Sequence, residues 1–212
     1  MTGELLPLSR LVLAYAPARA RPDWLTILAL DARLAGVVRQ AREPMLAQMR
    51  LAWWRDRFAA DPATWPKGEP LLRQLADWGE LATALAQLVD GWEALLGEGP
   101  LGEDALGAFA QGRAAALVAL SRRLGCPDGT VPAVGLRWAL ADLALHLGNA
   151  TERDCAVQIL ATAPTGGRVP KAMRPLAVLA GLSERAVKRG AGDALDGPRS
   201  LLAAIRLGII GG

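Results

Sequence analysis

The stretch PDWLTILALDARLAGVVRQAR, residues 22–42, constrains this chain more than any other. Pro22 and Asp23 suit the first turn of a helix. Trp24, Leu25, Leu28, Leu34, Val37, Val38 and Ala41 then spread apolar surface around most of its circumference. A helix apolar on nearly every side has to be buried in the middle of a bundle. The rest of the chain must therefore supply helices to surround it.

It has the means to do so. Ala, Leu and Arg dominate, while Tyr and Phe, with one and two copies, are scarce. That composition favours helix over strand. Hydrophobic residues make up 52% and charged residues 21%, which excludes disorder as the dominant state. Glu43-Pro44 opens a second helix reaching Phe58, and DPATWPKGEP follows as a loop. Helical periodicity over 71–96 is interrupted by Gly79 and Gly91. A helix over 103–124 ends at Gly125 as its C-cap. CPDGTVP is a turn, and a strongly apolar helix over 131–147 carries the one histidine, His146. GNATERD reads as punctuation, and a weaker segment runs through Ala163. After PTGGRVP come two short helices, near 172–182 and 183–188. GAGDALDGP breaks the chain before a last helix over 199–210. With no strand pattern, repeat or composition shift, the expectation is one all-α helical bundle spanning 1–212.

Several function classes drop out. Cys126 and Cys155 give neither metal spacing nor a disulfide framework, so a reducing compartment is expected. MTGELLPLSR does not read as a signal peptide, and no apolar run reaches membrane-spanning length. The expected location is cytoplasmic, with peripheral contact at the inner face of a membrane as an option. The tail PRSLLAAIRLGII is expected to pack on the bundle, the alternative being to lie on an anionic bilayer. Net charge is +3 and the pI about 9.3, but no recognition motif or lysine-rich stripe points to nucleic acid. No Cys or second His accompanies His146 for zinc, and no serine sits in a nucleophile elbow.

One set of residues does point to a family. Pro17 and Arg21 form a Pro-x-x-x-Arg, an apolar helix follows, and Arg50 to Arg55 reads Arg-Leu-x-Trp-Trp-Arg. With VPKAMRPLAVLAGLSERAV at 169–187, this pattern resembles the squalene/phytoene synthase family. The resemblance implies the all-α isoprenoid synthase fold. It implies head-to-head joining of prenyl diphosphates, with Mg²⁺ gripped by Asp-x-x-x-Asp motifs on facing helices. Residues at i and i+4 share one helical face, which suits such a grip.

This sequence departs from that pattern. Aligned through ALDARLAGVVR, the first motif's acidic positions fall on Ala35 and Arg39. Asp142 stands four residues before His146 rather than before a second carboxylate. No Asp or Glu pair at i and i+4 occurs in the chain. The i,i+3 pairs Asp77/Glu80, Asp90/Glu93 and Asp193/Asp196 are expected on solvated faces. The closer likeness is to the family's non-catalytic branch, which includes a mitochondrial assembly factor for respiratory complex I. Two readings follow. The chain is a non-catalytic assembly protein or isoprenoid or lipid binder with no cofactor. Alternatively it is a prenyl-diphosphate transferase with a degenerate Mg²⁺ site. Its partners would be a prenyl diphosphate or lipid, another protein, or a membrane surface. By resemblance, Arg21, Ala35, Arg39, Arg50, Trp54 and Asp142 face a central cavity. Arg39 is expected to approach Asp142 there, since a buried charge needs a partner. Asp31, two turns earlier on the helix of Arg39, is expected to be out of that arginine's reach. One of Trp53 and Trp54 is expected in the core and the other at the surface. Arg50 and Arg55 flank them, with Asp56 as the nearest carboxylate.

Overall fold

The computed structural model describes residues 5–41, 43–97, 99–195 and 203–208, and no strand occurs among them. Helix α1 (Pro7–Val12) leads through a 3₁₀ turn into α2 (Arg21–Arg39), and α3 (Pro44–Ala59) follows. Next come α4 (Pro70–Leu75), a 3₁₀ stretch over Ala76–Leu85, and α5 (Ala86–Glu93). The second half holds α6 (Glu103–Arg123), α7 (Val131–His146), α8 (Ala150–Thr162) and α9 (Arg174–Arg189).

Helix α2 takes the expected interior position, but only along its first two thirds. Trp24, Ile27, Leu28, Leu30 and Leu34 are buried, whereas Val37 and Val38 are half-buried and Arg39 is exposed. The helix stops at Arg39, three residues short of the expected end, with Gln40 as its cap. The Trp24 indole N–H donates to the Ala172 carbonyl at 2.9 Å and ties α2 to the turn before α9. Helix α7 packs between α6, α8 and α9. Arg137 clamps that layer. It donates to both carboxylate oxygens of Glu184 on α9 and to the carbonyls of Leu160 and Ala163 at the end of α8.

Three local expectations are corrected. GNATERD is not punctuation alone: the Asn149 side chain accepts from the Thr151 and Glu152 amides and caps α8. The two short helices expected after residue 172 are one continuous helix, α9, with Ser183 buried in its middle. Gly79 does break the 71–96 stretch, with φ of 56°, but Gly91 lies inside α5. Its role there is contact: a Cβ on Gly91 would come 3.1 Å from the Phe109 carbonyl oxygen of α6. Gly112 faces it, and a Cβ there would overlap the Gln87 carbonyl oxygen. The expected cap at Gly125 is present, with φ of 67° and the Cys126 amide donating back to the Ser121 carbonyl.

Of the expected final helix, residues 199–202, 209 and 210 lie outside the described residues. Residues 203–208 are helical, with Ala203 and Ala204 buried in the core. Among the described residues no helix is long and apolar enough to cross a membrane.

The α5–α6 crossing separates two glycines of one helix. Gly112→Ala should cost about 1–3 kcal/mol by forcing the backbones apart. Gly107→Ala, in open space on the same helix, should gain about 0.5–1 kcal/mol by removing chain entropy. Urea denaturation of both variants checks this. Equal effects at the two positions would refute the close-packing argument.

Candidate functional site

Helices α2, α5, α6 and α7 enclose a cavity of about 400 Å³, within the range of ordinary ligand sites. Its walls are mainly apolar, including Leu28, Ala35, Leu95, Leu101, Leu143 and Leu179. Polar chemistry gathers at the inner end. The Arg113 side chain is 6% exposed, and it donates at 2.7 Å to Asp31 on α2 and at 2.7 Å to Asp142 on α7. The Trp92 indole N–H donates to the other oxygen of Asp31 at 2.9 Å.

Aromatic rings hold the guanidinium as well. Its carbon lies 3.8 Å from the centroid of a Trp138 ring, 5.2 Å from Phe109 and 5.9 Å from Trp92. Those distances suit cation–π attraction. Burial works to lower the Arg113 pKa. The charges and hydrogen bonds of Asp31 and Asp142 outweigh it, so the pKa stands above its usual value. A cation with a raised pKa gives stability that is complete at every lower pH, so Arg113 stays charged across the physiological range. Among the described residues, neither the buried Arg113 Nε–H nor the buried Trp138 indole N–H has a hydrogen-bond partner.

The outer end is wetter. Leu6 and Arg39 are exposed there, as is His146, whose Nδ1 lies 2.7 Å from the Asp142 carbonyl oxygen. Asp193 completes the charged lining. Three carboxylates thus face two guanidiniums, leaving one net negative charge when His146 is neutral.

The residues do not fit a Mg²⁺ cluster. Both oxygens of Asp31 are already engaged, and a guanidinium stands between the two facing carboxylates. A divalent cation would have to share that space with a fixed positive charge. Among the described residues no group of three or more His, Cys, Asp or Glu is placed to hold a metal ion.

The cavity brings together Ala35, Arg39 and Asp142 of the six expected residues. Arg21 is exposed and reaches the Ala16 carbonyl at 3.4 Å. Arg50 is exposed, and it lines a separate groove with Trp53, Trp54, Arg39 and Glu69. Trp54 is buried against Phe58, and Trp53 is partly exposed with its ring edge-on to Trp54 at 5.0 Å. Two pairings differ from expectation. Arg39 does not meet Asp142; Arg113 does, because α2 reaches the surface before Arg39. Asp31 joins the cluster through Arg113 on another helix. Arg55 pairs with Asp90 and Glu93 on α5 rather than with its neighbour Asp56, so that i,i+3 pair is not merely solvated. The signal for Arg113 was in the sequence: it is the one charge in the small, apolar run ALGAFAQGRAAALVAL.

A sequence profile described as Squalene/phytoene synthase matches residues 9–152. No curated protein and no solved structure matches the chain.

Removing Arg113 would leave two carboxylates facing each other with no cation between them. Arg113→Leu should cost about 3–5 kcal/mol, a fall in Tm of about 2–4 °C per kcal/mol. Neutralising one carboxylate relieves the repulsion, so Arg113→Leu/Asp142→Asn should melt above Arg113→Leu. Thermal melts of the two variants decide it, and no recovery in the double variant would argue against a carboxylate–carboxylate clash.

Proposed function

The chain belongs to the squalene/phytoene synthase family, and from that premise we propose that it is a non-catalytic member. It holds an isoprenoid or related lipid without a diphosphate, and it does not carry out Mg²⁺-dependent prenyl transfer. The observation that carries this reading is the Asp31–Arg113–Asp142 cluster at the inner end of the cavity. Prenyl transfer from a diphosphate needs charge neutralisation at the leaving group. Here the carboxylates that would bring metal are committed to a guanidinium. That guanidinium is itself neutralised by two carboxylates, so it offers little to an anion.

Electrostatics support the same choice of ligand. A cavity with one net negative charge repels a diphosphate, and in a poorly solvated site the repulsion is weakly screened. An alcohol or carbonyl head group carries no such penalty. The apolar walls take the hydrocarbon chain.

Trp92 and Trp138 line the cavity and report on its occupancy. Geranylgeraniol should change the tryptophan emission in a saturable way. Geranylgeranyl diphosphate should bind at least tenfold more weakly, with or without Mg²⁺, and release no pyrophosphate. Ala35→Trp, which fills the cavity, should abolish the response to the alcohol. Mg²⁺-dependent pyrophosphate release, or tighter binding of the diphosphate, would instead establish a prenyl-diphosphate transferase with a degenerate metal site.

A further inference from the structure

Helix α3 buries one face, and no described residue covers the opposite face. Ala47, Leu51, Trp54 and Phe58 pack inward. Met45, Met49 and Trp53, spaced by four, form a stripe on the outer side with Leu46 beside it. They are 71%, 64%, 39% and 50% exposed respectively. Four large apolar side chains within nine residues is more than the scattered exposure normal on a soluble surface.

Charge selects the occupant. Arg50 and Arg57 border this stripe on α3, and Arg57 lies 5.9 Å from the Trp53 ring. Arg39 joins Arg50 and Trp53 in the adjoining groove. Among the described residues no carboxylate pairs with Arg39 or Arg50. Asp56, three residues after Trp53, shares the stripe's face at its far end, and Glu43 stands before the first turn of the helix. Glu69 in the groove lies 3.7 Å from Arg33. Arg39, Arg50 and Arg57 against Glu43 and Asp56 leave the face net positive. Flexible thioethers, a half-exposed indole and unpaired guanidiniums match a bilayer surface. The apolar groups enter the acyl boundary, tryptophan sits at the interface and arginine meets lipid phosphate. A protein partner of ordinary surface would leave the guanidiniums without such a dense array of acceptors.

Position adds a second argument. Arg39 lines both this groove and the outer end of the cavity, where Leu6 is also exposed. A bilayer seated on α3 would therefore lie beside the cavity mouth.

We infer that the outer face of α3, formed by Met45, Leu46, Met49 and Trp53 with Arg39, Arg50 and Arg57, docks the protein on an anionic membrane surface. The inference does not depend on what the cavity holds. Vesicles of phosphatidylcholine with and without about 30% phosphatidylglycerol test it by flotation of the full chain. The protein should float with the anionic vesicles, and raising the salt should weaken the binding. Met45→Ser/Leu46→Ser/Met49→Ser should lower partitioning at least tenfold with an unchanged melting temperature, since these side chains are exposed. Arg50→Gln/Arg57→Gln should lower it severalfold and flatten the salt dependence. Brominated lipid should quench the native protein more than Trp53→Phe. Flotation of the triple variant equal to that of the native chain would overturn the inference. So would the absence of flotation, including the case where the face mediates concentration-dependent self-association instead.

Discussion

The interior of this bundle is organised around one buried arginine. Taking Arg113 out of water is expensive, and burial of the two aspartates adds to the cost. The arrangement persists because the guanidinium is held in two ways, although its Nε–H has no partner among the described residues. In its plane it donates to carboxylates on two other helices, and the Trp138 ring lies close beside it. Helices α2, α6 and α7 meet through these bonds, and Trp92 extends the network to α5. The cavity is the space left above this cluster. Its depth, its wall residues and its net charge all follow from where Arg113 sits.

Much of the fold was legible from periodicity and punctuation. The apolar helix expected over 22–42 does take the interior place along its first two thirds, which hides Trp24, Leu28 and Leu34 together, and it ends at Arg39. Pro44 and Gly125 marked helix ends by backbone chemistry that operates regardless of neighbours. Helix α8 was harder to read because few of its residues are buried, Ala156 and Leu160 among them, so its apolar periodicity is faint. Its start depends on a side chain cap. Helix α9 looked divided because Ser183 and Glu184 interrupt the apolar run. In the structure Ser183 is buried, and Glu184 answers Arg137 across the α7–α9 contact.

The site was legible in part, and the division has a physical cause. The family resemblance set Asp142 across a cavity as the partner that a buried arginine would need. It could not say which arginine, because that depends on how far α2 runs before reaching solvent. Arg39 lies past that point. Arg113, by contrast, lies among alanines, where a side chain of its length can enter the interior without displacing larger neighbours. Asp31 is out of reach of Arg39 on its own helix, as expected, but its partner comes from another helix, 82 residues on.

The cluster also explains why a metal site is not one substitution away. Facing helices α2 and α7 each present a single carboxylate to the cavity. The residues four positions later are Ala35 and His146, so neither helix offers a pair on one face. Deleting Arg113 would free two isolated carboxylates rather than two chelating pairs. It would also remove the cation that makes their burial tolerable, before any divalent ion had enough ligands to replace it. An i,i+4 carboxylate pair on each of these helices would require new acids at both positions together with loss of the arginine. Arg39 takes no part in this cluster, because it sits in solvent at the mouth rather than at the inner end. The charge balance that stabilises this interior is thus the same balance that sets a fixed cation between the two carboxylates facing the cavity.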